Sequence, residues 1–341
     1  MTKKAIIAMS GGVDSSVAAL LMKKEGYDCI GATMQLYSEG DCNDAKAVAD
    51  KLSMPFYIFP LKEEFKEQVI NKFIECYEQG KTPNPCIECN RTLKFGAMME
   101  KMRELGGDYV VTGHYARVEL EKGEYKLKKA VDETKDQSYF LYMLTQEQLK
   151  HIKFPLGEYT KPQIRQIAEE NGFINARKKD SQDICFVPHG DYVSFIKEYN
   201  GKKYPKGLFV HKEGKVFGEH KGIVNYTIGQ RKGLGVAYTK PLYVLNIDPE
   251  TNKVILGDNE DLFTDMVIAK NVNIISGKKL SVPIRVNARI RYRHKEQPAA
   301  AWQTEDGFLH VKFDEPQRAV TKGQSVVLFD NDTVIGGGEI I

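Results

Sequence analysis

A polar, glycine-rich segment, Ser10-Gly11-Gly12-Val13-Asp14-Ser15, follows an apolar run at residues 4–9 and precedes a helical pattern. Its glycines allow positive φ and a close approach of the backbone to a ligand. Successive N–H groups and the start of the following helix can then bind an anion. Serine hydroxyls can donate to phosphate oxygens, and the carboxylate of Asp14 can hold Mg²⁺. We therefore predict a phosphate-binding loop without the lysine of GxxxxGKS/T loops; the alternative is an ordinary glycine-rich turn.

Two cysteines, Cys86 and Cys89, stand in a proline-rich loop sequence ahead of a helical pattern. Asn90 fits the N-cap of that helix. Cys89 is then expected at a helix N-terminus beside Arg91 and Lys94, where the dipole and both cations would stabilise a thiolate. The pattern predicts a reactive thiol at Cys89, and the alternative is a loop with incidental cysteines.

A third cysteine, Cys185, lies in the turn-rich segment 180–187. No second CxxC or CxxH pair follows Cys86 and Cys89, so the sequence does not favour a four-ligand zinc site. The chain has six cysteines in all. In an intracellular protein we do not expect these to form a structural disulfide framework.

An arginine-rich segment at residues 285–295 alternates cationic with apolar side chains. In a strand, alternate side chains share one face. That face would carry Arg285, Asn287, Arg289, Arg291, Arg293 and Lys295. Such a stripe, with Tyr292 nearby, suits contact with RNA phosphates and stacking on a base. The alternative is the solvated outer face of a strand.

The elements that position these groups alternate between apolar strands and amphipathic helices over the N-terminal half. This alternation predicts an α/β fold with a parallel sheet and helices on both faces. Ligands of such sheets bind beyond the carboxyl ends of the strands. Ser10, Met34 and Gly113 all stand at predicted strand ends.

The length of 341 residues allows two or three domains. Near residue 200 the pattern changes to short strands and turns, and from about residue 272 it is almost wholly strand and turn. We predict a catalytic domain at residues 1–200, a small β-rich domain at 201–271 and a C-terminal β-barrel at 272–341.

A net charge of only +3 gives no global basic field, so any nucleic-acid surface must be a local patch. No apolar run approaches the ~20 residues that a membrane helix needs. The first residues also lack the core of a signal peptide. We expect a cytoplasmic protein without a membrane partner.

The loop at residues 10–15 resembles that of the pyrophosphatase-loop (PP-loop) ATPases, which activate a carbonyl or carboxyl oxygen by adenylation. With further segments, the chain resembles the MnmA family of tRNA-specific 2-thiouridylases. The segments that carry this resemblance are residues 8–15, 82–85, 89–90, 112–117, 135–139, 183–186 and 225–235. The resemblance covers nearly the whole chain and implies an N-terminal domain similar to the adenine nucleotide alpha hydrolases.

The resemblance also implies roles for the matched positions. Cys185 would carry a persulfide, and Cys89 would be the partner nucleophile. ATP, with Mg²⁺ at Asp14, would be bound by Ala8, Met9, Ser10, Gly11, Gly12, Val13, Asp14, Ser15, Met34 and Gly113. The tRNA would be contacted by Lys135, Asp136, Gln137, Arg291 and Tyr292.

The implied reaction is ATP-dependent 2-thiolation of the wobble uridine in tRNA. The C2 carbonyl of uracil is a poor electrophile, and adenylation of its oxygen creates a good leaving group. A persulfide or hydrosulfide sulfur then attacks C2, and AMP departs. A second cysteine is useful because its thiolate can cleave the S–S bond of the persulfide, which leaves a disulfide. A donor protein or sulfide would supply the sulfur.

Cys86 departs from the family pattern, since many members have Asp at that position. In one hypothesis it is a bystander to persulfide chemistry on Cys89 and Cys185. In the other, all three cysteines bind a 4Fe–4S cluster whose fourth iron holds a hydrosulfide. The chain is also short between Met34 and Asp41.

Three other functions remain open. A PP-loop synthetase would transfer the adenylate to an amine and would need neither reactive thiols nor an RNA-binding stripe. Another tRNA thiolase of the superfamily would use the same loop on a different base. A non-catalytic RNA-binding protein would retain only the nucleotide fold.

Overall fold

The computed structural model describes residues 2–36, 42–178 and 183–341. Its strands are β1 (Lys4–Ala8), β2 (Asp28–Gln35), β3 (Phe56–Pro60), β4 (Tyr109–Val111), β5 (Ala116–Glu121), β6 (Glu124–Lys129), β7 (Ile152–Lys153), β8 (Gly207–His211), β9 (Val216–His220), β10 (Tyr243–Asp248), β11 (Lys253–Gly257), β12 (Phe263–Ile274), β13 (Ile284–Arg289), β14 (Gln297–Gln303), β15 (Leu309–Arg318), β16 (Ser325–Asp330) and β17 (Thr333–Ile340).

Its helices are α1 (Val13–Lys24), α2 (Asn43–Lys51), α3 (Lys62–Phe65), α4 (Lys72–Glu78), α5 (Pro85–Cys89), α6 (Met98–Glu104), α7 (Gln146–Lys150), α8 (Lys161–Glu170) and α9 (Tyr192–Asn200). Two π-helical segments, Lys66–Asn71 and Asn90–Ala97, join α3 to α4 and α5 to α6. Within the described ranges, none of the helices is long and apolar enough to cross a membrane.

The N-terminal sheet has five parallel strands in the order β3-β2-β1-β4-β7. Side chains of the central strand β1 alternate between two buried faces. Ile6 packs with the helices of residues 62–104, whereas Ile7 packs with α1, α2 and α8. Because helices cover both faces, the strands must be apolar almost throughout. The α/β fold predicted from the sequence is confirmed.

A closed barrel of six antiparallel strands forms the C-terminal part, in the order β12-β15-β14-β13-β16-β17. The barrel closes because β17 also pairs with β12. Alternate residues of each strand fill its interior, including Val286 and Ala288 of β13 and Val326 and Leu328 of β16. Closure removes the exposed strand edges that an open sheet would have. The predicted barrel is therefore confirmed.

The central sheet is smaller, with the order β10-β11-β8-β9 around an apolar cluster that includes Phe209 and Val254. The boundary that we predicted between residues 271 and 272 falls inside β12. That strand pairs along its length with β15 and β17, so its hydrogen bonds belong to the barrel. We propose that the barrel begins at Phe263.

A hairpin of β5 and β6 extends from the N-terminal domain to the barrel, where Lys128 pairs with Thr333 of β17. Two ion pairs reinforce this contact: Arg117 with Asp332 at 2.7 Å and Lys129 with Glu296 at 2.7 Å. We did not predict this hairpin, because its strands carry many Glu and Lys residues that obscure the period of two.

The barrel also fixes the loop that precedes the two cysteines of α5. Gln324 donates to the carbonyl oxygens of Thr82 and Pro83 at 2.8 and 3.2 Å. The N–H of Thr82 donates to the carbonyl of Lys322 at 2.9 Å. At the start of β16, the backbone carbonyl of Ser325 accepts a hydrogen bond from the buried Tyr139 hydroxyl at 2.9 Å. The cysteine loop is thus held between two domains.

Candidate active site

The predicted phosphate loop joins β1 to α1, and its geometry is set by internal hydrogen bonds. Gly11 has φ of 70°, and Gly12 is the extended N-cap of α1. The Ser15 hydroxyl accepts from the N–H of Ser10 at 3.2 Å and donates to the Gly12 carbonyl at 3.1 Å. The first N–H groups of a helix have no partner within it. The loop is therefore shaped to present backbone donors to an anion.

Gly113 and Met34 lie at the carboxyl ends of β4 and β2, beside this loop. A Cβ atom on Gly113 would lie 2.8 Å from both the Asp14 carbonyl carbon and the Ser15 nitrogen. Only glycine can therefore occupy this position while β4 stays so close to the first turn of α1. Met34 is half-buried at the end of β2.

The carboxylate of Asp14 has two protein partners that sequence analysis missed. The ammonium of Lys161 lies 2.8 Å from each carboxylate oxygen, and the Tyr115 hydroxyl donates to Oδ1 at 2.9 Å. Lys161 is only 6% exposed and begins α8. A cation in the first turn of a helix opposes the helix dipole. That unfavourable position was the sequence signal that could have singled out Lys161.

Asn175 holds the opposite side of the loop and was also missed. Its side-chain amide donates to the Gly11 carbonyl at 3.0 Å and to the Ser16 hydroxyl at 2.9 Å. The residue is 3% exposed, and its Oδ1 has no hydrogen-bond partner. The sequence offered no signal for this residue, because its partners lie more than 150 positions earlier in the chain.

A loop at residues 130–138 positions the partners of Asp14. Gln137 accepts from the N–H of Tyr115 and donates its own N–H to the Tyr115 carbonyl. Asp132 accepts from the N–H of Lys161 at 2.9 Å. The loop is braced by the buried Asp136, which accepts from Ala130 and Ser138 within the loop.

This arrangement bears on the predicted tRNA contact by Lys135, Asp136 and Gln137. Asp136 is 4% exposed, and burial raises its pKa. Gln137 uses its side-chain carbonyl within the protein. A contact between RNA and the side chain of Asp136 would require this loop to open, whereas Lys135 is half-buried at its surface.

The helix of the two cysteines begins earlier than predicted. Its N-cap is Asn84, and α5 starts at Pro85 and continues into the π-helical segment. Asn90 is not an N-cap: it is buried and donates to the Phe140 carbonyl at 3.1 Å. Cys89 therefore lies within a continuous helix and not at its start. Proline is favourable in a first helical turn, which explains the earlier beginning.

The structure brings Cys86, Cys89 and Cys185 together. The pKa of Cys89 is raised to about 11, chiefly by burial and in smaller part by the charges of Cys185 and Cys86. Burial also raises the pKa of the other two thiols. The prediction of a stabilised thiolate at Cys89 is therefore wrong for this structure, because desolvation outweighs the nearby cations. All six cysteines are free thiols.

Lys94 is the cation that faces these thiols. It lowers the pKa of all three, and it also lowers that of His114, whose pKa burial already depresses well below its usual range. Because the π-helical segment bonds residue i to i+5, it places Lys94 on the face of Cys89. Arg91 instead pairs with Glu88 at 2.7 Å. The charge of Lys94 thus acts both on the thiols and on His114, which follows Gly113 at the end of β4.

The aromatic side chain of Phe186 anchors Cys185. Phe186 is buried edge-on against Phe73 and Phe65, with ring centroids 5.1 and 5.7 Å apart. This packing holds the segment of Cys185 against the helices that lead to α5. Residues 180–182 of the predicted turn lie outside the described residues, as do residues 37–41 of the predicted short loop.

A cleft of about 870 Å³ separates α4 and α5 from β12 and β17 of the barrel. The proline-rich cysteine loop contributes Pro83, Asn84 and Pro85 to its wall. Its lining is of mixed charge: the cations are Lys72, Lys81, Arg91 and Lys270, and the acidic residues are Glu75, Glu88 and Glu339, of which Glu88 pairs with Lys72 and Arg91 and Glu339 pairs with Lys270. Such a cleft can admit a nucleotide segment, since cations attract phosphate and the pocket has the size of a typical ligand site.

The predicted arginine stripe does not form as one strand face. β13 ends at Arg289, and residues 290–294 turn. Arg285 pairs with Asp314 at 2.6 Å, and Arg289 pairs with Glu296 at 2.7 Å. The prediction of a single arginine stripe was wrong because the chain turns after Arg289. In addition, acidic side chains of the same barrel pair with two of the arginines.

Arg291 holds the barrel to the loop before β16. Its guanidinium donates to the Ala319 carbonyl at 2.6 Å and to the Thr321 hydroxyl, and burial lowers its pKa. Tyr292 packs on Phe140, with ring centroids 4.3 Å apart. Both residues that we expected at the RNA surface therefore make contacts inside the protein.

Replacing Lys94 should make Cys89 less reactive. Thiolates, not thiols, are alkylated. Since Lys94 lowers the pKa of Cys89 against the effect of burial, a Lys94→Gln variant should shift that pKa above its value of about 11. Iodoacetamide labelling of the Cys89 peptide, followed by mass spectrometry between neutral and alkaline pH, should show slower alkylation at each pH. Arg91→Gln is the matched control and should leave the rate unchanged; equal rates in Lys94→Gln and the wild type would contradict the assignment.

Arg291 should be needed for stability. Its removal takes away a charge-assisted donor from the Ala319 carbonyl and the Thr321 hydroxyl, which costs about 1–3 kcal/mol. Arg291→Ala should therefore lower the urea midpoint of unfolding, whereas Arg293→Ala, at an exposed position, should not. Arg291→Ala could instead unfold like the wild type while the slope of log K for tRNA binding against log salt concentration falls in magnitude by about 0.7–0.9. That result would favour the contact between Arg291 and tRNA that the family resemblance implies.

Profiles of known domain families match most of the chain. The profile described as tRNA methyl transferase HUP domain matches residues 3–189. The tRNA methyl transferase PRC-barrel domain matches residues 193–258, and the Aminomethyltransferase beta-barrel domain matches residues 264–340.

Curated relatives match over the full length. A tRNA-specific 2-thiouridylase MnmA of Clostridioides difficile (strain 630) is 51% identical, over 100% of this chain and 98% of the relative. The MnmA of Clostridium acetobutylicum is 49% identical, over 100% of both chains. The solved NMN synthetase of Francisella tularensis is 16% identical with a TM-score of 0.35, over 60% of this chain and 79% of that chain, which is too low to support an argument. With the loop, the strand ends and the grouped thiols in place, the relatives lead to one conclusion: the chain belongs to the MnmA family of tRNA-specific 2-thiouridylases.

Proposed function

We propose that this protein uses ATP to replace the C2 oxygen of the wobble uridine in tRNA with sulfur. The observation that carries the proposal is the grouping of Cys86, Cys89 and Cys185 around Lys94, which also faces His114 beside the phosphate loop. A synthetase that transfers an adenylate to an amine would have no use for thiols at this position. The nucleotide loop and the sulfur groups thus belong to one site.

The phosphate loop serves the first half-reaction. The uracil O2 attacks the α-phosphorus of ATP, pyrophosphate leaves, and C2 becomes electrophilic. Backbone N–H groups at the start of α1 can hold the phosphate oxygens, as helix N-termini generally do. Gly113, whose position leaves no room for a side chain beside Asp14, lets the end of β4 pack closely against the first turn of α1 and so fixes the loop.

Sulfur transfer would then use two cysteines. The terminal sulfur of a persulfide on Cys185 attacks C2, and AMP leaves with the electron pair of the C2–O2 bond. The Cys89 thiolate next attacks Sγ of Cys185, which releases 2-thiouridine and leaves a Cys89–Cys185 disulfide. A dithiol reductant must supply two electrons to restore both thiols. Free thiols of this kind fit the reducing cytoplasm.

Magnesium does not fit as a ligand of Asp14 in this arrangement, because Lys161 and Tyr115 already donate to its carboxylate. Across the residues that the structure describes, no group of three or more His, Cys, Asp or Glu side chains could hold a metal ion. Any Mg²⁺ is therefore expected to arrive bound to the phosphates of ATP.

The cleft beside α5 supports tRNA as the substrate. It opens next to the proline-rich cysteine loop, and its cations include Lys72, Lys81 and Lys270. Such a cleft could receive the flipped-out uridine and its flanking phosphates. The sulfur would come from a donor protein that carries a persulfide, which must reach the exposed Cys185 and pass its outer sulfur to that thiol, leaving the donor as a thiol.

The role of Cys86 separates two versions of the chemistry. Its thiol interacts electrostatically with those of Cys89 and Cys185, but the described residues include no group of three cysteines placed to hold a metal ion, as a 4Fe–4S cluster would require. The two-cysteine persulfide route needs nothing from Cys86. We propose the persulfide route, since it uses only groups that the chain itself provides.

The central test is mass spectrometry of nucleosides from tRNA incubated with the protein, ATP and a persulfide donor. We expect 2-thiouridine to form and to require ATP. Cys89→Ser and Cys185→Ser should each lower the rate by about 10³-fold or more, as loss of a nucleophile does. Cys29→Ala is the control, because Cys29 is buried on β2, outside both the group of three thiols and the cleft, and the variant should remain active. Thiolation at wild-type rates by the Cys89→Ser, Cys185→Ser double variant would contradict the proposal.

The Cys86→Ala variant decides between the two sulfur routes. After anaerobic purification, we expect colourless, iron-free protein that still thiolates tRNA from a persulfide donor. Iron and sulfide assays of wild-type and variant protein provide the measurement. Brown wild-type protein that loses both iron and activity on Cys86→Ala would establish the cluster and exclude the bystander role.

A further inference from the structure

The glycine-rich segment at residues 229–235 lies where the small central domain meets the barrel. The N–H of Gly229 donates to a carbonyl of β10 at 2.8 Å. A Cβ atom on Gly229 would lie 2.8 Å from that of Ala319 in the barrel, so a side chain at this position would collide with it. Farther along, Leu234 is buried in the apolar cluster of the central domain. Both ends of the segment are therefore fixed, whereas residues 231–233 between them are exposed.

Hydrogen bonds within this segment occupy its carbonyl oxygens and leave its N–H groups unused. The side chain of Gln230 donates to the Lys232 carbonyl at 3.1 Å and accepts from a backbone N–H of the same turn at 3.0 Å. The Gln230 carbonyl accepts from an N–H of β10 at 3.0 Å. In the part of the chain that the structure describes, the N–H groups of residues 231–236 donate to no protein acceptor. Gly233 and Gly235 have φ of 78° and 68°, and unused N–H groups in such left-handed turns can bind an anion.

The exposed tip of the segment also carries two cations. Arg231 and Lys232 are both exposed, and within the described residues neither side chain makes an ion pair or a hydrogen bond. Arg285 and Arg289 of the barrel differ in this respect, because acidic side chains pair with them. The two cations of the tip are therefore free to attract phosphate.

A turn of the barrel continues the same surface. The Arg291 guanidinium lies 3.5 Å from the Ile228 carbonyl, so the turn at residues 290–294 contacts the start of the glycine-rich segment. Arg293 and Lys295 are exposed there, and among the residues described they have no acidic partner. Two neighbouring turns from two domains thus present unpaired cations.

This barrel turn also leads to the cysteine helix. Tyr292 packs on Phe140 with ring centroids 4.3 Å apart, and the Phe140 carbonyl accepts from Asn90, the residue after Cys89. The basic surface therefore borders the part of the barrel that supports the thiols.

We propose that residues 231–235 of the central domain bind backbone phosphates of tRNA, with Arg293 and Lys295 beside them on the same surface. This deepens the proposed function and rests on it in taking tRNA as the substrate. Backbone N–H groups and cationic side chains contact phosphates without reading bases. The surface therefore contributes affinity and orientation, whereas the choice of uridine is made elsewhere.

The test is filter binding of full-length tRNA to the full-length protein between about 50 and 200 mM KCl. The Arg231→Gln, Lys232→Gln double variant should lower the magnitude of the slope of log K against log salt concentration by about 1.4–1.8, which is two contacts at about 0.7–0.9 each. Its binding should be weaker at low salt, and the difference from the wild type should narrow by about tenfold over that range. ATP affinity, measured by calorimetry, should stay at its wild-type value.

Lys206→Gln, Lys212→Gln is the matched control. It removes the same charge from the same domain, but both lysines pair with acidic side chains of that domain. The control should keep the wild-type salt slope. Arg231→Lys, Lys232→Arg retains both charges and should also keep it. The urea midpoint of each variant checks that the fold is intact.

A wild-type salt slope in the folded Arg231→Gln, Lys232→Gln variant would overturn the inference. If that variant also accepted sulfur more slowly from a persulfide donor protein, the surface would bind that protein and not RNA. An equal fall of the slope in the lysine control would show that only total charge matters, and would equally overturn a specific surface. Failure of the wild-type protein to bind tRNA would instead contradict the proposed function itself.

Discussion

The site depends on one constraint: side chains from much later in the sequence hold the glycine-rich loop through hydrogen bonds and an ion pair. Glycines give a loop freedom, and that freedom must be lost before the backbone can hold phosphate. Tyr115 and Lys161 hold Asp14, and Asn175 holds Gly11. The loop at 130–138 fixes the first two, and its Asp136 lies 3.8 Å from Arg289 of the barrel. The nucleotide loop is thereby coupled to the C-terminal domain.

Desolvation governs the sulfur half of the site. Desolvation by the surrounding protein raises the pKa of Cys86, Cys89 and Cys185, and the charge of Lys94 opposes it. Protonated thiols are poor nucleophiles, but they also react slowly with oxidants and with one another.

The barrel contributes to the site mainly by holding the cysteine loop in place, and less by offering cationic side chains to RNA. Arginines that would suit RNA are paired with acidic side chains or buried, as Arg285 and Arg291 show. Its loops instead clamp the proline-rich cysteine segment through Gln324. The cleft beside α5 is lined by residues of both domains, and most of its cations also pair with glutamates that line it.

The phosphate loop, the parallel sheet and the chemical identity of the site followed from sequence alone, because each depends on residues close together in the chain. The start of α5 at Pro85, the buried thiol of Cys89 and the internal contacts of Arg291 did not, because burial and pairing depend on the other domain. Lys161 and Asn175 join Asp14 and Gly11 across 147 and 164 residues. No local pattern encodes such contacts; only the packing of α8 and the chain beyond it against the loop decides them.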